Sequence, residues 1–116
     1  MEQKIRTVLK DLGVPQHIKG YRYLVVAVRK VIEDPEELSR LTKTLYPAIA
    51  KECGTTLSCV ERAIRHAVEC AFNGVAPDVI EKYFGNSIAY YRAHPTNGHF
   101  IAAVVEAVQQ EGICQK

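Results

Sequence analysis

The sequence predicts an all-α domain of about six helices built around a helix-turn-helix. Three observations point there. Apolar residues recur at three- and four-residue spacing through most segments. Glycine or proline punctuates the gaps between those segments, at Gly13, Pro15, Pro35, Gly54, Pro77, Gly85 and Pro95. Ala50, Gly54 and Val60 stand where a helix-turn-helix corner is most constrained. Such a corner wants a small residue where its helices cross, a glycine for a left-handed reversal, and an apolar plug in the angle.

Residues Glu2–Leu12 form the first expected helix, with Ile5, Val8, Leu9 and Leu12 on one side; Gly13 and Pro15 end it. The second runs from about His17 to Glu33, with Ile18, Tyr21, Leu24, Val25, Val28, Val31 and Ile32 as a broad apolar stripe. Its β-branched run resembles a strand, but its length and spacing favour a buried helix. Asp34-Pro35-Glu36-Glu37 is a helix start: a cap, a first-turn proline, then two acids at the positive end of the dipole. Leu38, Leu41, Thr42, Leu45, Ile49 and Ala50 continue the stripe, and Pro47 predicts a kink or break near Leu45–Tyr46. One bent helix and two short ones both satisfy this pattern.

The stretch Tyr46–Phe72 reads as two helices joined by a tight turn. Thr55 and Thr56 can cap the second, and Ser58 with Glu61 offers a capping-box alternative. The Leu57–Phe72 helix buries Val60, Ile64, Ala67, Val68 and Ala71 and turns Ser58, Glu61, Arg62, Arg65, His66 and Glu69 outward. Asn73–Ala76 is expected as a loop, and Pro77 and Asp78 start a short helix that Gly85 ends. Asn86–His94 reads as a loop or irregular helical stretch. Pro95-Thr96-Asn97 caps a last helix burying Phe100, Ile101, Val104, Val105 and Val108, and Glu111–Lys116 is expected to fray.

A chain of 116 residues suits one domain with one core, spanning 1–116. The net charge is +2, so any claim of DNA binding rests on where charge sits rather than on its total. No apolar run approaches the length that crosses a bilayer, and no signal peptide is evident; the expected compartment is the cytoplasm. The four cysteines, Cys53, Cys59, Cys70 and Cys114, form no CxxC pair and read as free thiols, with no metal site expected. His17, His66, His94 and His99 fall in no HExxH pattern, and there is neither a nucleophile elbow nor a phosphate-cradling glycine loop. The chain is expected to be no enzyme and to need no cofactor.

Arg62 and Arg65 are the leading candidates to read a base or hold a phosphate, because a guanidinium fork matches the O6 and N7 edge of guanine. Glu61 can accept from a cytosine amino group or hold a neighbouring arginine, and Ser58 and His66 can donate to phosphates. Lys43 and Lys51, with Arg40 and Lys19, flank the motif and suit backbone phosphates. Taken singly, each of these charges also reads as ordinary solvated surface. The Ala50–Gly54–Val60 frame favours the DNA reading, because it specifies the turn as well as the face.

Four segments carry a resemblance, in order: GVPQHIKGYRYL at Gly13–Leu24, LTKTLYPAIAKE at Leu41–Glu52, TTLSCVERAIRHAVECAF at Thr55–Phe72, and HPTNGHFIAAV at His94–Val104. They resemble the C-terminal effector domain of the sporulation response regulator family. The likeness runs from Ile5 to Gln110. It implies binding of double-stranded DNA through the 57–72 helix, by a head-to-tail dimer on tandem boxes similar to TGTCGAA. Ser58, Glu61, Arg62, Arg65 and His66 match the family pattern. Cys59 departs from it: the family usually has a base-reading arginine there, and a thiol cannot make a bidentate contact. This chain then reads an altered box, binds more weakly, or has lost DNA reading. The resemblance further implies a contact with the RNA polymerase sigma subunit through Val75–Ser87, where Asp78, Glu81 and Lys82 are the candidates. The family's regulators carry a phosphorylated receiver domain, for which no segment is expected here. The rival reading is an interaction module that keeps the fold and modulates a full-length regulator or the sigma subunit.

Overall fold

A computed structural model of the protein describes residues 2–84 and 95–114, the last four of these by backbone alone. It is all-α, with six α-helices and no strand among the described residues. None of these helices is long and apolar enough to cross a membrane. The expected Asn86–His94 irregular stretch and the Gly85 stop lie outside the described residues.

Helix α1, Glu2–Asp11, buries Ile5, Val8 and Leu9. Its end is a Schellman turn. Gly13 takes φ +80°, its N–H donates to the Lys10 carbonyl, and the Val14 N–H reaches back to the Leu9 carbonyl, both at 3.0 Å. The apolar contact that accompanies such a turn is supplied by Val14 and Leu9, both buried.

Helix α2, Lys19–Glu33, starts two residues later than expected because Ile18 is extended (φ −89°, ψ 153°). It is the spine of the fold. Gly20, Tyr21 and the whole run from Tyr23 to Val28 are buried, so little of its middle faces solvent. It packs against α1, against both helices of the corner, and against the last helix. A helix hydrophobic nearly all round belongs at the centre of a bundle, which is why a strand-like composition folds here as helix.

The Asp34 cap forms as expected, its carboxylate accepting from the Glu36 N–H at 3.2 Å. Beyond this cap the chain does not enter an α-helix directly. Pro35–Arg40 is a 3-10 segment and Leu41–Leu45 is a π turn, in which the Tyr46 N–H bonds to the Leu41 carbonyl. Helix α3, Tyr46–Cys53, comes next, with Pro47 in its first turn. The expected break near Leu45–Tyr46 therefore takes the form of a widened turn. It opens the helical ladder just ahead of Pro47, which has no N–H to give and whose ring would crowd the carbonyl four residues back.

Helix α4, Leu57–Gly74, is two residues longer than expected. Asn73 and Gly74, expected in a loop, form its final turn. Gly74 keeps a negative φ and does not act as a stop; extended Val75 does, its N–H closing on the Ala71 carbonyl at 3.0 Å. Helix α5, Pro77–Phe84, buries Ile80. Helix α6, Asn97–Cys114, is capped by Thr96, whose hydroxyl accepts from the His99 N–H at 3.1 Å. Phe100, Ile101, Val104 and Val108 are buried as expected, whereas Val105 is half-buried. The backbone stays helical to Cys114, past the point where fraying was expected at Glu111. Phe72, Phe84 and Phe100 meet edge-on or tilted, with centroids 5.0–6.3 Å apart, and join α4, α5 and α6 at one end.

One contact governs where α4 can lie. A Cβ added to Gly20 would fall 2.8 Å from the Cβ of Ala67, and still closer to the carbonyl oxygen of Ala63. The two backbones touch there, and no side chain fits between them. Gly20→Ala should therefore lower stability by roughly 2 kcal/mol, despite alanine's better helix propensity, and lower Tm by about 10 °C in a thermal melt followed by circular dichroism.

Candidate nucleic-acid interface

The corner between α3 and α4 turns on Gly54, at φ +67° and ψ 42°. Its N–H and that of Thr55 (2.9 Å) both close on the carbonyl of Ala50. A Cβ at Gly54 would meet nothing within 4 Å, so the requirement is the left-handed backbone alone. Ala50 is buried on α3, and Val60 is fully buried in the angle. The three expected corner residues thus occupy their expected places.

Of the two expected caps, Thr56 is used. It is extended (φ −109°, ψ 160°), and its hydroxyl accepts from the Cys59 N–H at 3.2 Å. The Ser58–Glu61 alternative is not, because the helix begins at Leu57 and places Cys59, not Glu61, three residues after the cap. Val60, Ile64, Ala67, Val68 and Ala71 form the buried face of α4.

The opposite face is open. Ser58, Cys59, Arg62, Arg65, His66 and Glu69 are exposed, and Glu61 is partly so. Arg65 is 63% exposed and sits 3.9 Å from the Glu61 carboxylate, a loose pair at the limit of an ionic contact. Arg62 makes no ion pair among the described residues. His66 faces Cys70, with its Nε2 3.6 Å from the Cys70 Sγ, which leaves Nδ1 for an outside partner. The Cys59 thiol lies below the ordinary thiol range. The Thr56 hydroxyl is the main cause, that of Thr55 the next, and Arg62 adds a smaller electrostatic pull.

Of the flanking cations, Lys51 is exposed in the last turn of α3 and Lys43 in the π turn. Lys19 is exposed at the first turn of α2. Arg40 is occupied: its guanidinium holds the Glu36 carboxylate at 2.9 Å. The candidates expected to meet a protein partner stand apart. Asp78, Glu81 and Lys82 are exposed on α5, which packs on α6 and is tied to α1 by the Tyr83 hydroxyl donating to Asp11 at 2.8 Å.

A groove of about 400 Å³ runs beside α4. Leu41, Thr42 and Tyr46 form one side, Glu61, Arg65, Val68 and Glu69 the second, and Pro95 to Gly98 the third. Leu41 and Thr42 of the π turn thus face α4 across this groove. Two supports of this site were not evident in the sequence. Gly20 falls inside the expected second helix with no reading of its own, and Asn97 read only as part of a cap.

These features assemble one helix, capped by Thr56, bent away from its predecessor at Gly54, and presenting Arg62 and Arg65 outward in its first half. Residues 5–108 match the family described as sporulation initiation factor Spo0A C terminal, nearly the whole chain. By that match and by its all-α helix-turn-helix fold, the chain belongs to the Spo0A C-terminal family, the DNA-binding effector domain of a sporulation regulator.

Proposed function

We propose that this chain is a sequence-specific DNA-binding regulator of transcription that places α4 in the major groove. The observation that carries the reading is the pair Arg62 and Arg65, exposed in the first half of a helix whose other face is locked into the core. A recognition helix meets base edges with its N-terminal residues, and a guanidinium not engaged by its own protein is free to make the two parallel hydrogen bonds that guanine offers. Ser58, Glu61 and His66 extend the same face, and Lys43 and Lys51 supply phosphate contacts that set register without carrying sequence information. Head-to-tail pairing on tandem boxes, work in the cytoplasm, and contact of Asp78, Glu81 and Lys82 with the RNA polymerase sigma subunit complete this reading.

Cys59 sets the limit of the likeness. It is exposed in the first turn of α4, where base contacts are made. A thiol gives one weak donor where the family usually presents a fork, so the preferred box differs from TGTCGAA at the base pair that the fork would read. The same observation favours the second reading, a module that keeps the fold and modulates a full-length regulator or the sigma subunit.

Fluorescence anisotropy with duplexes bearing variants of the box, across a salt series, separates the two. DNA reading gives a preferred box over scrambled duplex and an affinity that falls steeply as salt rises. Equal weak binding to all duplexes, with retained binding to sigma or the full-length regulator, establishes the module instead. Arg62→Ala should cost about 1–3 kcal/mol on the preferred box and relax discrimination at one base pair. Lys51→Ala should weaken all duplexes alike and reduce the salt slope by about 1.

A further inference from the structure

The side-chain amide of Asn97 joins three elements. Its nitrogen donates to the Tyr46 hydroxyl at 3.1 Å and to the Glu61 backbone carbonyl at 3.1 Å. One NH₂ group thus gives both hydrogens, one to α3 and one to α4, from the first residue of α6. The orientation of the amide is fixed by chemistry, because a backbone carbonyl can only accept. Tyr46 is 2% exposed, and burial pushes its hydroxyl above the ordinary phenol range while the Asn97 contact opposes this.

We infer that Asn97 is a positioning residue for DNA reading: it sets the rotation of α4 about its own axis and thereby the aim of Glu61, Arg62 and Arg65. This rests on the proposed role of α4. The buried face of α4 is made of valine, isoleucine and alanine, whose contacts hold the helix in the core but are individually non-directional. A hydrogen bond is directional, and this one grips α4 at Glu61, next to Arg62 and one turn before Arg65. A rotation of about 10° moves groups at a radius of about 6 Å by about 1 Å. Base readout by a bidentate fork tolerates less than that. The Thr56 cap fixes where α4 begins, Gly20 fixes how closely it lies against α2 at Ala63 and Ala67, and Asn97 adds a directional tie at Glu61.

The test uses Asn97→Asp, which keeps the shape but sets a carboxylate oxygen against the Glu61 carbonyl, an obligatory acceptor, while the Tyr46 hydroxyl can still donate to it, and the milder Tyr46→Phe, which removes one partner. Val104→Ala serves as a destabilised control outside the clamp. In the DNA-free protein, residual dipolar couplings should show α4 reoriented relative to α2 in Asn97→Asp, slightly so in Tyr46→Phe, and not in Val104→Ala. On duplex DNA, the ratio of affinities for preferred and scrambled boxes should fall roughly 5- to 150-fold in Asn97→Asp, the weight of one bidentate base contact, with an unchanged salt slope. Val104→Ala should keep the ratio. Unchanged couplings in both clamp variants overturn the inference, as does a wild-type preference that survives in Asn97→Asp. A wild-type protein with no box preference would remove the DNA reading, and the couplings would still decide whether Asn97 sets the helix.

Discussion

The bare backbone of Gly20 against that of Ala63 is the contact on which the rest of the molecule depends. Helix α2 is buried on almost every side, so anything packed on it inherits its position. Contact through glycine lets the α4 backbone meet that of α2 with no side chain between, and the small residues Ala63 and Ala67 line the α4 side of the crossing. With α4 set there, the corner at Gly54 places α3, and an ionic clasp closes it. Glu52 at the end of α3 accepts from Arg29 of α2 at 2.8 Å and lies 3.4 Å from Lys30. Arg29, the chief cause, holds the Glu52 carboxyl below the usual carboxylate range. A lowered value means that this contribution is present at neutral pH and fades as pH falls through the Glu52 titration. The groups are substantially exposed, so the clasp steers the corner more than it stabilises the fold.

Charge is distributed with the same economy. A net charge of +2 gives no hint of a basic surface. Yet Arg6, Arg29 and Arg40 each hold a carboxylate at 2.8–2.9 Å, and so are neutralised locally. Arg62 has no such partner among the described residues, and Arg65 has only a loose one. With Arg62 unpaired among the described residues and Arg65 only loosely held, two guanidinium groups stay available on the exposed face of α4, beside the carboxylates of Glu61 and Glu69. Cys59 adds, on the same face, a thiol already drawn toward its anion by Thr56 and Thr55.

Much of this was legible along the chain, where the deciding physics is local. Gly54 needs a positive φ whatever surrounds it, and a glycine followed by capping threonines announces that need. The Asp34 and Thr96 caps arise from side chains reaching backbone groups two or three residues ahead. The apolar stripe of α4 comes from helical period. Expectations failed where the outcome turned on how neighbouring segments share space. Gly74, expected in a loop, proved to be an ordinary helical residue. The stripe from Leu38 to Ala50 fitted a helix, yet it became a 3-10 segment, a π turn and α3, because the chain had to absorb Pro47 while keeping Leu45 and Ile49 in the core.

By itself, then, the sequence determined the all-α class, the corner at residues 50–60 and the outward set of polar residues on α4, since each depends on period, caps and backbone φ, and its resemblance in four segments gave the family. Only the tertiary structure decided how close α4 lies to α2, how Asn97 reaches across to Glu61, and that Glu52 holds Arg29. Those outcomes depend on residues 23 to 43 positions apart, Arg29 with Glu52, Asn97 with Glu61 and Gly20 with Ala63. A linear pattern carries no record of such distances until the core closes.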